Sequence, residues 1–364
     1  MKKAEHIIGS SARTLLALTF LFSGFVKAVD PLGTVYKIED YLKAFGGFFT
    51  ELLPLAGLAA VSLILAEWLL GWAMLLNVRT KITSWLSLVF YLMMTPLTLW
   101  IALTNPVSDC GCFGDALVLT NWQTFWKNIV LLILVLILLI CKKAIPQLWS
   151  TWMELCIMLI ALISGGIIMG YSYTHLPPLD FRPYKIGNHI PTLMEVPDDA
   201  EPDVYETTLI YANDEGEERE FTLENYPKND PEWTFVDQHS VLVKKGYEAP
   251  IHDFEILTID FDDITYDILE SKTPVTLITM YDLNKSNVSQ LSKVAEMVNS
   301  TPDCYILTGS GAEEVEKMGE KLGIDPERFC FIDPVTLKTI VRANPGMFVV
   351  QNGTIIEKHN FRQL

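Results

Sequence analysis

A chain of 364 residues is long enough for two or three domains, and a formal charge of −17, with 27 Lys/Arg against 44 Asp/Glu, argues against a nucleic-acid partner. The average hides a division: residues 1–171 carry 11 Lys/Arg and 9 Asp/Glu, whereas residues 172–364 carry 16 and 35, a net of −19. Eight of the nine tryptophans fall between Trp68 and Trp152, where amphipathic rings are expected at the water–lipid boundary, so the first half reads as a membrane domain and the second as an acidic domain in water.

Five apolar stretches, at about 12–29, 54–76, 82–104, 122–141 and 151–171, approach or exceed the roughly 20 residues that a bilayer-spanning helix needs. Lys2, Lys3 and Arg13 precede the first, which raises the question of a cleaved signal peptide. Lys27 and Asp30 end it with no clear small-residue cleavage site, so an uncleaved helix is expected. Arg79 and Lys81 separate the second span from the third, and Lys142 and Lys143 the fourth from the fifth. By the positive-inside rule these clusters mark the cytoplasmic side. The expectation is a bacterial inner-membrane protein with its amino terminus in the cytoplasm. Loops 30–53 and 105–121, and everything after about residue 171, would lie in the periplasm.

Two ionisable residues stand in or near these spans. Glu67 is near the middle of the second, where a carboxylate faces a polar partner, a cavity or a ligand, or is protonated and hydrogen-bonded between helices. Lys27, near the outer end of the first, is expected to snorkel. Direct pairing of the two is not expected, because Glu67 lies about thirteen residues, or roughly 20 Å, below the outer end of its helix.

The most chemically loaded stretch is the loop Ser108-Asp109-Cys110-Gly111-Cys112-Phe113-Gly114-Asp115. Two cysteines at i and i+2 can close a small strained disulfide ring, for which Gly111 supplies backbone freedom, and a strained disulfide is readily reduced. The alternative is a packed or bridged pair that braces the loop. Cys110 and Cys112 are the catalytic candidates, with Glu67 on the proton side. Asp109 and Asp115 near the sulfurs would disfavour thiolates, and the sign of the net effect stays open. Thr120-Asn121-Trp122-Gln123 has the form of a capping box that opens the fourth span. Cys141, Cys156, Cys304 and Cys330 read as single buried thiols, and no Cys/His set of zinc type is visible, so no metal is expected.

With Arg13 opening the first helix, Ser23-Gly24 and Lys27 closing it, Glu67-x-x-x-Gly71 in the second and Cys110-Gly111-Cys112-Phe113-Gly114 before the fourth, residues 10–142 resemble the DoxX family, and within it the MauE branch. The resemblance implies a four-helix membrane bundle over about 1–145. DoxX relatives are associated with quinol oxidases and thiol-redox complexes, and MauE works with a thioredoxin-like partner in forming disulfides of another protein. A quinone is therefore a candidate electron acceptor, with no cofactor certain. The fifth span, within 146–174, is an addition that carries the tail outside.

The tail divides in two. Residues 175–245 read as an acidic β-rich segment: Tyr205 to Tyr211 alternates as a strand, Asn213-Asp214-Glu215-Gly216 is turn chemistry, and Glu218 to Leu223 returns as a hairpin arm. Trp233 reads as core. From about 246 to 364 strands at 274–281, 303–308, 329–332 and 347–351 alternate with helices at about 285–299 and 311–322, the pattern of an α/β domain. Gly246-Tyr247-Glu248-Ala249-Pro250, and Asn344-Pro345-Gly346-Met347 with the turn Asn352-Gly353, are similar to the thioredoxin superfamily, which implies a cis Pro345. The departure is that Tyr281-Asp282-Leu283-Asn284-Lys285-Ser286-Asn287 holds no thiol where that family has Cys-x-x-Cys. This end is then a binding module, with Pro345, Asn344, Asn284 and Ser286 as partner-binding candidates.

The sequence thus leads to a membrane α-helical bundle of four DoxX-like helices plus a fifth, followed by a β-rich segment and an α/β thioredoxin-like domain. Two functions compete. In one, Cys110 and Cys112 exchange electrons with a periplasmic thiol protein and with quinone. In the other, the chain is a non-enzymatic membrane-anchored adaptor whose tail binds an envelope or secreted protein or a larger membrane complex.

Overall fold

The computed structural model describes residues 2–107, 109–213, 216–228, 230–244 and 246–363. Ser108 and the expected turn residues Asp214 and Glu215 lie outside them. Two compact units result, one of residues 1–187 with 255–364 and one of Asn188–Phe254.

The larger unit begins with α1 (Lys2–Val29), which passes through Asp30 directly into α2 (Pro31–Phe45). A 3-10 stretch, Gly47–Leu55, leads into α3 (Ala56–Leu75), followed by α4 (Thr80–Thr104), α5 (Asn121–Cys141) and α6 (Thr151–Thr174). Among the described residues, five segments are long and apolar enough to cross a membrane, with mean hydropathy between 1.5 and 2.5. The inward faces of α1, α3, α4 and α5 meet in a core of Leu16, Phe20, Leu70, Met74, Tyr91, Leu131, Val135 and Leu138. Leu15, Leu18, Leu92, Met93, Ile133 and Ile160 face outward, as they can where lipid is the solvent.

The segment 30–53, expected as a loop, is instead mostly helical. Asp30 caps α2 by accepting from the Gly33 amide at 3.0 Å, and Pro31 occupies the first helical turn, where its missing N–H costs nothing. The capping box at α5 forms as expected: the Thr120 hydroxyl accepts from Gln123 N, and Gln123 Oε1 accepts from Thr120 N. Cys156, expected to be buried, is exposed on α6.

Glycines set the contact between α1 and α3. A Cβ on Gly24 would stand 2.8 Å from the Trp68 backbone nitrogen, and one on Gly71 would stand 2.8 Å from the Leu21 nitrogen. The two helices therefore run antiparallel at backbone-to-backbone approach, as small residues permit in a membrane.

Unit Asn188–Phe254 holds the short helix α7 (Ile190–Met194) and an antiparallel sheet of β1 (Val204–Asn213), β2 (Glu218–Thr222) and β3 (Trp233–Lys244), in the order β2-β1-β3. Leu209 pairs with Phe221 on one side and Gln238 on the other. Trp233 is half-buried, its ring 5.3 Å from Phe221 and beneath the Arg219 guanidinium.

The end of the larger unit contains α8 (Thr265–Leu269), β4 (Val275–Thr279), α9 (Val288–Ser300), β5 (Cys304–Thr308), α10 (Ala312–Leu322), β6 (Phe329–Phe331), α11 (Pro334–Ile340), β7 (Gly346–Gln351) and β8 (Thr354–Asn360). The sheet order is β6-β5-β4-β7-β8, with β4, β5 and β6 mutually parallel and β7 and β8 antiparallel. β4 and β5 are buried along almost their whole length, as in a parallel sheet covered on both faces. Ile278, Leu291, Val294, Ile306, Val315 and Phe329 share one core. Asn352 and Gly353, both at positive φ, turn β7 into β8, and the Asn344–Pro345 bond is cis.

Candidate functional site

The antiparallel register of α1 on α3 brings Lys27 beside Glu67. Lys27 Nζ donates to Glu67 Oε2 at 2.9 Å, to Ser23 Oγ at 2.6 Å and to the Cys112 carbonyl at 2.6 Å. Ser23 Oγ in turn lies 2.8 Å from Glu67 Oε2 and 2.7 Å from the same carbonyl. All three side chains are at most 7% exposed, so an ammonium with three acceptors, a carboxylate and a hydroxyl satisfy one another where an unpaired charge would be costly. The expected separation of Lys27 from Glu67 is corrected here. The outer end of α3 was the wrong reference level, because contacts 21 to 71 and 24 to 68 place position 27 level with position 65, about half a turn from position 67.

This buried group anchors the two-cysteine loop. Gly111 adopts φ +65° and Gly114 φ +52°, and a side chain at Gly111 would meet Lys37 at 2.9 Å, so the turn needs glycine. The loop is held at both cysteines, since the Cys110 carbonyl accepts from Tyr41 Oη at 2.6 Å while the Cys112 carbonyl rests on Lys27 and Ser23. The two Sγ atoms lie 2.9 Å apart as free thiols.

The two acids flanking the thiols are themselves met by cations. Asp109 accepts from Lys37 at 3.0 Å, and Asp115 lies 3.5 Å from Arg342. Cys112 is drawn down to about 6, first by the hydrogen bond from Cys110, against burial, and then by the positive charges of Lys127 and Lys27, while Glu67 opposes them. Cys110 is pushed up by the same sulfur contact and by burial. Of the two sulfurs, Cys112 is thus the one whose surroundings favour the thiolate, through Lys127 and Lys27.

Among the described residues, the loop lines an outer cavity and a small inner one that share no lining residue. The outer one, of about 280 Å³, has Cys110 on its wall, with Lys37, Tyr41, Asp115, Lys338 and Arg342. The inner one, of about 30 Å³, has Cys112 on its wall, with Ser23, Glu67, Tyr91, Lys127 and Asn128. The outer cavity is closed partly by α11. Arg342, buried, bridges Asp30 at 2.9 Å and Asp115, and Tyr36 Oη lies 3.5 Å from Tyr281 Oη. The N-cap of α2 and the loop after Cys112 are therefore fixed by one guanidinium from the end of the chain.

The four residues expected to bind a partner are placed differently from one another. Asn344 Nδ2 donates to the Asp282 carbonyl at 2.8 Å, Ser286 Oγ donates to that carbonyl at 3.1 Å, and Pro345 and Ser286 are buried. Asn344 and Ser286 thus brace the turn after β4. Asn284 is exposed, bonded to Glu314 at 2.5 Å, and lines a shallow surface pocket with Tyr281, Lys285 and Lys338. Among the described residues no cluster of His, Cys, Asp and Glu has metal-ligand spacing.

Sequence reasoning missed Arg342, Asp30, Tyr36, Tyr41 and Lys127 as parts of the site. Asp30-Pro31 was a legible N-cap signal; Arg342 gave none, since its partners lie about 312 and 227 positions away in the chain.

A bundle of five apolar helices with a dithiol loop folded against buried charges defines a multi-pass membrane protein. Residues 5–141 match the family described as methylamine utilisation protein MauE, a DoxX-like membrane family, which is the similarity that these helices and this loop carry. Residues 205–245, spanning β1 to β3, match a domain of unknown function, DUF8463. No curated protein and no solved structure matches the chain.

Proposed function

We propose that the chain is a membrane thiol-disulfide exchange protein of the cell envelope whose Cys110–Cys112 pair cycles between dithiol and disulfide. The observation that carries this reading is the pair itself: two free sulfurs 2.9 Å apart, on a glycine turn clamped at both carbonyls, with cations beside Cys112. Oxidation of two thiols of a periplasmic partner would reduce the pair, and a quinone in the bilayer would accept the two electrons and two protons that restore the disulfide. Glu67 lines the cavity of Cys112, which supports a role for it on the proton side of the exchange. The lysines and arginines in the first turns of α1, at the α3–α4 junction and just after α5 support a cytoplasmic amino terminus, with the loop and the tail in the periplasm. The order β6-β5-β4-β7-β8 supports a thioredoxin-like reading of the final sheet, and its lack of thiols in Tyr281–Asn287 supports a docking rather than a redox role for it.

That same lack favours the second reading, a membrane-anchored adaptor in which the cysteines only brace the loop. Changing Cys110 or Cys112 singly to Ser separates the two. Under the exchange reading either change abolishes disulfide formation in envelope thiol proteins, read by acid-quenched alkylation of whole cells. Under the adaptor reading both changes are tolerated.

A further inference from the structure

We infer that the two sulfurs divide the exchange reaction between them: a substrate thiolate comes through the outer cavity and attacks Cys110 Sγ of the oxidised pair, and Cys112 is the sulfur that leaves. This rests on the exchange reading above and adds the order of events to it. In the first step a bond forms between the substrate sulfur and Cys110 Sγ while the Cys110–Cys112 bond breaks, and its electron pair stays on Cys112 as a thiolate. In the second, another thiolate of the substrate attacks the substrate sulfur of that mixed disulfide. A substrate disulfide forms and Cys110 leaves, taking up the proton that the second thiol gave. The substrate has lost two electrons and the cysteine pair has gained them.

The cavities decide the order. The outer cavity, about 280 Å³, touches Cys110 and not Cys112, and it has room for a thiol-bearing side chain or a small thiol. The cavity at Cys112, about 30 Å³, has room for about one water, so no attacking thiol fits there. The clamps keep the sulfurs from exchanging places: Tyr41 on α2 holds the Cys110 carbonyl, and Lys27 and Ser23 on α1 hold that of Cys112.

The electrostatics agree with the geometry. A leaving sulfur departs faster the lower its pKa, and Lys127 and Lys27 lie where the charge of a departing Cys112 would appear. Cys110, which must accept a bond rather than hold a charge, has the opposite surroundings. Access and acidity therefore point to different sulfurs, which makes the assignment testable: the more acidic thiol should be the less reactive one toward an outside reagent.

The test uses the full chain in lipid nanodiscs, oxidised with diamide, pulsed with free cysteine, acid-quenched and alkylated, and mapped by mass spectrometry. The expected adduct is cysteine on Cys110 with Cys112 alkylated. A second measurement follows disulfide formation between free cystine and the single-thiol variants. Cys112→Ser, which keeps Cys110, should react at least about tenfold faster than Cys110→Ser. Adducts on Cys112, or the faster reaction at Cys112, would overturn the division of roles while leaving exchange intact. An oxidised pair that takes no adduct at all would overturn the exchange reading together with it.

Discussion

Lys27 and Ser23, both bonded to Glu67, hold the two-cysteine loop through a backbone carbonyl rather than through a sulfur. Removing one partner of a buried ion pair leaves an uncompensated charge, a loss of about 3–5 kcal/mol, whereas replacing both by apolar groups is far less damaging. Glu67→Gln in the full chain should therefore lower thermal stability in detergent sharply, and Lys27→Met with Glu67→Leu should recover much of it. Equal losses in the single and double variants would show that the pair is not coupled. A second residue-scale expectation concerns Asp180. Burial alone would raise its pKa, but Arg182 at 2.7 Å and Lys358 at 2.8 Å hold it down to about 2. A carboxyl lowered on folding contributes stability above its unfolded pKa, near 4, and loses it as pH falls toward 2, here about 2 kcal/mol. Asp180→Asn should flatten the acid limb of a thermal-unfolding profile between pH 4 and 2, and an unchanged limb would contradict the assignment. Glu67 and Lys27 were each visible in the sequence, but their pairing was not, because it depends on how α1 and α3 cross.

That crossing belongs to the scale of elements. Gly24 and Gly71 let two backbones touch, and that contact sets the register that brings position 27 to position 67. Gly24→Leu should overpack the contact at about 1–3 kcal/mol and, by shifting α1, release the Cys112 carbonyl. The expected result is faster alkylation of Cys112 than in the parent chain, and unchanged alkylation would mean that the loop is held by other means. The apolar spans and the strands of the final sheet were legible because each follows from a long run or a short buried run of one residue class. α2 was not, since its composition is mixed and only Asp30-Pro31 announces it. β3 was not either, because Asp237-Gln238-His239-Ser240 interrupts its apolar pattern.

Across the larger unit, residues just after and within α11 contact α2 and the two-cysteine loop. Arg342 joins Asp30 and Asp115, and Lys338 and Arg342 stack over Tyr36 at 5.0 and 5.5 Å, so the outer cavity is bounded by α2, the loop and α11 together. Such contacts between residues hundreds of positions apart leave no trace in one sequence, which is why the dithiol was legible and its enclosure was not. Arg342→Met should increase several-fold the rate at which a bulky maleimide reaches Cys110 in the reduced protein. No change would mean that α11 does not limit access.

The central claim, that Cys110 and Cys112 cycle as a redox pair facing the envelope, is tested most directly in intact cells. Both thiols would be mapped by mass spectrometry with a membrane-impermeant reagent before and after mild reductant, in aerobic and quinone-depleted cultures. The account predicts a pair protected until reduced, then labelled from outside, with an oxidised fraction that falls when quinone is removed. Thiols that stay free throughout, or a bridge that persists whatever the acceptor, would contradict it.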